Sequence, residues 1–247
     1  MPRFKITIEY DGTNLCGWQK QKVGPSVQGH LEKAIRMFYP ELESVVGSGR
    51  TDAGVHALKQ VAHVNIDNGM SAFKLRDAIN GVLKHVSKQI VVTEVEEVSN
   101  DFHARYSATY RGYLYRIKNR RAPLTVDKNR CWWVVEKLDV EKMREAANLL
   151  LGLHDFTSFR SIKCEAKSPI KILDKLDILE VGDEIHLVVE ARSFLHHQVR
   201  NFAGTLKMVG EGKIAPEEIK NILDAKDRRK AGMTAPAEGL YLTRVDY

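Results

Sequence analysis

Cysteine is scarce in this chain. The three present, Cys16, Cys131 and Cys164, are widely spaced and form no C-x-x-C pair. An odd, scattered set supplies neither a disulfide framework nor a zinc-ligand signature, and it suits a reducing compartment. Long apolar runs are missing as well: none approaches the roughly 18 residues of a membrane span. The opening MPRFKITIEY alternates apolar and polar residues and lacks the apolar h-region of a secretory signal. Together these absences make the cytoplasm the expected location and give no reason to expect a membrane partner. There is no G-x-x-x-x-G-K-[ST] phosphate loop, and Gly47, Gly49 and Gly54 do not fit G-x-G-x-x-G. Clustered carboxylate or histidine ligands are lacking too, which argues against a metal-dependent nuclease and against a resident metal.

What is present describes a globular protein. Of 247 residues, 43% are hydrophobic and 28% charged, enough for one large domain or two of ordinary size. Lys and Arg total 38 against 32 Asp and Glu, a formal net charge of +6. That excess favours an anionic partner, with nucleic acid the leading candidate.

Periodicity divides the chain into two similar halves. In the first, FKITIEY (4–10) has the period of two of a strand. Ser26 is placed to cap a helix carrying Val27, Leu31, Ala34, Ile35 and Phe38, which Pro40 stops. Val45 and Val46, a Gly-rich loop and a strand near 58–66 follow. A second helix (about 71–84) and a strand (90–98) complete the half. In the second half, 113–119 and 131–135 read as strands, Asp139 caps a helix, and 154–161 reads as a polar loop. Two strands then meet around Gly182-Asp183, a hairpin signal. A helix at 196–212, a short one after Ala215-Pro216 and a strand at 239–247 close the chain. The expected fold is α+β: two related ferredoxin-like or RRM-like halves, of the β-α-β-β-α-β kind. They would form a central, mostly antiparallel sheet flanked by helices, with a catalytic cleft between them. The expected division is 1–105 and 106–247, with no Gly/Ser-rich linker to fix it.

Three stretches carry chemistry. SGRTDAGVHA (48–57) crowds Gly49, Arg50, Thr51, Asp52 and Gly54 between strand-like segments. It reads either as a tight turn or as a shaped loop presenting the Asp52 carboxylate beside Arg50, a nucleophile or base among glycines that admit a substrate backbone. YSATYRGYLYRIK (106–118) puts Tyr113, Tyr115 and Ile117 on one strand face, with Leu114, Arg116 and Lys118 on the other. Base-stacking aromatics beside arginines make a nucleic-acid surface; core tyrosines with a solvated basic face are the plainer alternative. RGYLY partly matches the RNP1 pattern, with Leu114 where Gly or Ala is expected. Arg120, Arg121 and KDRRK (226–230) add charge of a kind that solvated loops also carry. In FLHHQVRNFAG (194–204), His196 and His197 point to opposite sides of a strand, or diverge by about 100° on a helix, and so chelate poorly. Arg200 is a cation in an otherwise apolar segment and needs a carboxylate; Asp52 is one candidate among many.

Taken in order, these blocks resemble the tRNA pseudouridine synthase A family: FKITIEYDGTNLCGWQ, SVQGHLEKAI, GSGRTDAGVHALKQVAHV, FHARYSATYRGYLYRI, LLGLHDFTSFR, SFLHHQVRNFAG and the terminal AKDRRKAGMTAPAEGLYLTRVDY. The resemblance implies a cofactor-free isomerase that converts uridine to pseudouridine on the 3′ side of the tRNA anticodon stem-loop, at one or more of nucleotides 38, 39 and 40. It implies a homodimer with tRNA lying across both subunits. By the family motif Asp52 is the catalytic carboxylate and Arg200 its basic partner. Tyr113 packs on the target uracil, and Arg50 aids base flipping. Phe102, His103, Ala104, Arg105 and Tyr106, with Phe156, Thr157, Ser158, Phe159 and Arg160, match tRNA-contacting stretches. A non-catalytic RNA-binding module with RRM-like halves is the alternative that residue types alone leave open.

Overall fold

The structure is a computed structural model and describes residues 1–67 and 69–247. It divides into two compact units, Met1–Thr109 with Tyr241–Tyr247, and Tyr110–Leu240. Both are α+β.

In the first unit, β1 (Arg3–Tyr10) buries Phe4, Ile6, Ile8 and Tyr10 and turns Lys5, Thr7 and Glu9 to the other side, the period of two that its sequence carries. β1 lies between β3 (His56–Asn65) and β4 (Ile90–Val98), antiparallel to both. β2 (Val46–Gly47) adds to β3. Helix α1 (Val27–Arg36) starts at Ser26, whose Oγ accepts the Gly29 N–H at 3.2 Å. Helix α2 (Ala72–Val86) starts at Ser71, whose Oγ accepts the Lys74 N–H at 3.4 Å. Such caps satisfy donors that have no partner within the helix. Leu31 and Ile35 of α1 and Leu75, Ile79 and Leu83 of α2 are fully buried in the core.

The second unit has an antiparallel sheet in the order β5 (Tyr110–Asn119), β10 (Glu184–Ala191), β9 (Lys175–Val181). β6 (Trp132–Val134) runs parallel to β5. Helix α3 (Val140–Asn148), capped by Asp139 as expected, packs on β9 and on α4 (Gln198–Gly210). Most of α4 is buried, including Val199, Asn201, Phe202, Ala203, Thr205 and Leu206, so it is a core helix and not a surface one. A short helix, α5 (Glu218–Ala225), follows.

Four elements differ from the sequence expectation. Residues 152–161 are not all loop: β7 (Gly152–Asp155) pairs with β8 (Ile170–Leu173) and a 3₁₀ turn follows at Thr157–Phe159. The strand before Gly182 is therefore two, β8 and β9, separated at Asp174. α4 begins at Gln198, because His197 has φ 66° in the left-handed region. β11 (Leu240–Asp246) pairs in parallel with β3, Tyr241 opposite His56 and Leu242 opposite Ala57, so the chain's last residues pack in the first unit. Among the described residues no helix is long and apolar enough to cross a membrane.

Candidate active site

In the first unit, the segment 48–55 is fastened at both ends. Ser48 donates its N–H to Val61 O (2.7 Å), and its Oγ meets Gln60 Oε1 at 2.7 Å. The fully buried Gln60 also donates to Gly49 O (3.1 Å). Thr51 is held by its hydroxyl to Tyr10 OH (2.8 Å) and by its carbonyl to the Trp18 N–H (3.1 Å). Asp52 opens a turn in which its carbonyl accepts the Val55 N–H at 3.2 Å, and it is half-buried, whereas Arg50 is exposed.

The loop after β1 supplies the rest of the clamp. Gly54 donates to Leu15 O (3.3 Å), and Gly12 donates to His56 Nδ1 (3.0 Å). Two glycines allow that approach. A Cβ on Gly12 would stand 2.2 Å from Val55 O, and one on Gly17 would stand 2.3 Å from Thr51 O and 2.8 Å from the Asp52 carbonyl carbon. Gly17 also has φ +88°, which L side chains adopt only at a cost. The shaped-loop reading thus matches the geometry better than a plain turn: the backbone bearing Asp52 is pressed between β3 and the 11–18 loop.

In the second unit, Arg200 sits on the first turn of α4, half-buried, with its Nε–H donated to Ala235 O at 2.7 Å. Ala235 returns its own N–H to Arg200 O (3.1 Å). Tyr113, on β5, is half-buried and meets the Phe194 ring edge-on at 5.1 Å. The His196 and His197 rings stand only 3.9 Å apart. They do not diverge as strand or helix geometry requires, because they precede α4 and His197 is left-handed.

The stretches expected to touch RNA divide by exposure. Arg105 and Tyr106 are exposed, and Phe102, His103, Thr157 and Arg160 are half-buried. Ala104, Phe156, Ser158 and Phe159 are fully buried and cannot present their side chains to RNA. Phe156, Phe159 and Phe202 form an aromatic cluster with centroids 5.1–6.3 Å apart. The Ser158 hydroxyl donates to Ile222 O and accepts the Asp227 N–H. Ala104 is pinned by its backbone instead: its N–H donates to His63 Nδ1 (3.2 Å) and its carbonyl accepts from Tyr247 OH (2.9 Å). Burial, with Arg3 and His103 nearby, lowers the His63 pKa to about 4, so near neutrality it is an acceptor. On the turn this holds in place, the exposed Tyr106 ring lies 4.4 Å from His103.

The basic face of β5 is a further correction. Arg116 makes hydrogen bonds of 2.9 and 2.8 Å to the two oxygens of Glu184, and Lys118 reaches Glu184, Asp183 and Asp127. Hydrogen bonding from Arg116 holds the Glu184 carboxyl at about 2. These cations are spent on carboxylates, not on phosphate. Tyr115 is wholly buried, and its hydroxyl donates to Pro236 O (2.9 Å). The sequence reading did not mark Asn201, within an apolar block, or single out Arg228 from its charge run, yet Arg228 Nη2 donates to Asn201 Oδ1 at 2.9 Å.

Comparison with known proteins places the chain in a family. Residues 6–107 and 146–247 match the family described as tRNA pseudouridine synthase; Tyr113 lies outside the matched stretches. The chain is 55% identical to tRNA pseudouridine synthase A of Paramagnetospirillum magneticum, over all of this chain and 96% of that one. It is 49% identical to the tRNA pseudouridine synthase A of Agrobacterium fabrum, over all of this chain and 93% of that one. For the protein of the same name from Brucella ovis the figures are 51% and 98%. Matched by that family over most of its length and about half identical to these relatives along its whole length, the chain belongs to the tRNA pseudouridine synthase family and is an isomerase.

Proposed function

We propose that this protein converts uridine to pseudouridine on the 3′ side of the tRNA anticodon stem-loop, at one or more of nucleotides 38, 39 and 40, with Asp52 as the reacting carboxylate. The observation that carries this reading is the braced turn at Asp52, within a chain of this family. The reaction breaks the N1–C1′ bond, turns the uracil, forms C5–C1′, releases the C5 proton to solvent and takes up a proton at N1. Its atoms balance without oxidant or cofactor. A carboxylate serves it by attacking the sugar or by taking a proton from it, and both routes need Asp52 ionised in a site poor in water. Arg200 is the cation assigned to that task, since an adjacent guanidinium offsets the rise in pKa that burial causes.

The target base must also leave the helical stack, at a cost of a few kcal/mol. Arg50 is proposed to fill the vacated space and Tyr113 to hold the extruded ring. Arg105, Tyr106, Thr157 and Arg160, with Phe102 and His103, are proposed to touch the tRNA. We further propose a cytoplasmic homodimer with tRNA lying across both subunits. Asp52→Asn tests the chemistry: tritium release from 5-tritiated uridine in tRNA should be abolished while tRNA binding stays within about threefold of wild type. Turnover by that variant would remove Asp52 from its role.

A further inference from the structure

The segment 228–235 is tied to α4 by contacts that no step above uses. Asn201 is fully buried. Its Oδ1 accepts from Thr234 Oγ1 (2.8 Å) and from Arg228 Nη2 (2.9 Å), and its Nδ2 donates to Phe159 O (2.7 Å). Arg228 Nη2 also donates to Thr234 Oγ1 (3.0 Å), and its Nη1 to Ala231 O (3.3 Å). The Thr234 hydroxyl therefore both donates and accepts within the same triangle. The backbone follows: Gly232 donates to Thr205 Oγ1 (2.9 Å), and Met233 O lies where a Cβ on Gly204 would stand 1.8 Å away. The residue after Thr234 is Ala235, whose carbonyl holds Arg200 Nε–H and whose N–H holds Arg200 O.

We infer that Asn201, Arg228 and Thr234 are a positioning network that aims the Arg200 guanidinium through the Ala235 carbonyl. A guanidinium is planar, so fixing its Nε–H on one acceptor fixes the plane in which the two Nη groups donate. A fixed carbonyl one residue beyond the Thr234 tether thus sets where the charge of Arg200 points. Arginine has several rotatable bonds and large rotamer entropy; losing it before substrate arrives is preorganisation, the property that a site held within about 0.5 Å requires. The network rests on the assignment of Arg200 above, and it adds three residues that touch neither substrate nor Asp52 in that scheme.

Thr234→Val removes the hydroxyl at nearly constant volume, and Thr234→Ser keeps it. With Thr234→Val, kcat for pseudouridine formation should fall on the order of tenfold, with KM for tRNA within about twofold and the melting temperature within a few degrees. Thr234→Ser should restore kcat. Arg228→Gln should reproduce the kcat loss by a second route. In an Arg200→Lys background, which lacks the Nε donor, Thr234→Val should cost nothing further, whereas a merely structural contact would multiply its effect. If Arg200→Lys is slow while Thr234→Val and Arg228→Gln turn over at the wild-type rate, the network is refuted and the role of Arg200 stands. If Arg200→Lys and Arg200→Met are both as fast as wild type, the role of Arg200 is refuted and the network falls with it.

Discussion

A single methyl group at Gly17, 35 positions before Asp52, should disable the active site. In Gly17→Ala the new Cβ would stand 2.3 Å from Thr51 O and 2.8 Å from the Asp52 carbonyl carbon. Ordinary contact begins near 3.4 Å, so the turn or the 11–18 loop must retreat by about 1 Å, a displacement of a reacting group that costs on the order of 100-fold in rate. The same move strains the Trp18 N–H to Thr51 O bond. An alanine at φ +88° adds about 1–2 kcal/mol of backbone strain. At 2–4 °C per kcal/mol for a chain of this size, the melting temperature should drop by roughly 2–8 °C, leaving a folded protein at 25 °C. Single-turnover tritium release, with a thermal melt of the same sample, reads both numbers. Gly49→Ala is the control within the motif: a Cβ there meets nothing within 4 Å and the backbone is not left-handed, so its melting temperature should match wild type. A Gly17→Ala protein with kcat within twofold of wild type would refute the claim that this contact places Asp52.

Three further outcomes follow from charge. On the proposed pairing of Asp52 with Arg200, Arg200→Met should lower kcat/KM and move the acid limb of its pH profile upward, because a carboxylate deprived of a neighbouring cation titrates higher; a normal rate with an unshifted limb contradicts the pairing. Glu184, held at about 2 by Arg116, has a folded-state pKa below its unfolded value. Its contribution is therefore full above about pH 4.5 and lost as pH falls through 2. Urea denaturation should show Glu184→Gln less stable than wild type by about 3 kcal/mol at pH 7, with the gap closing toward pH 2. His63, held at about 4, refuses a proton that the unfolded chain accepts, so stability should fall between pH 6.5 and 4. His63→Asn should flatten that slope relative to wild type.

The parts of the fold legible in the sequence are those set by local chemistry. The alternation in 4–10, the strand at 90–98, the caps Ser26 and Asp139, and the Gly182 turn all appear as read. What was not legible depends on distant partners. β7 is four residues long and becomes a strand only by pairing with β8, and β11 joins β3 across nearly the whole chain. At the candidate site, residue types marked Asp52 and Arg200 as chemically interesting and offered Asp52 to Arg200 only as one candidate carboxylate among many. The family resemblance misled where burial decides: it assigned Phe156 and Phe159 to tRNA contact, yet they pack on Phe202 in the core. Arg116 and Lys118 look like phosphate binders until Glu184 and Asp183 are found beside them. Arg228 sits among Lys226, Arg229 and Lys230, and only the fold separates it from its exposed neighbour Arg229 by turning it onto Asn201.

The most direct test of the proposed activity is chemical. Unmodified tRNA is incubated with wild-type protein or with Asp52→Asn and mapped nucleotide by nucleotide with carbodiimide, which marks pseudouridine although the isomer has unchanged mass. Wild type should produce pseudouridine at one or more of nucleotides 38, 39 and 40 and nowhere outside the anticodon arm, with or without EDTA, and Asp52→Asn should produce none. Pseudouridine confined to another arm of the tRNA, or formed equally by Asp52→Asn, would contradict the account.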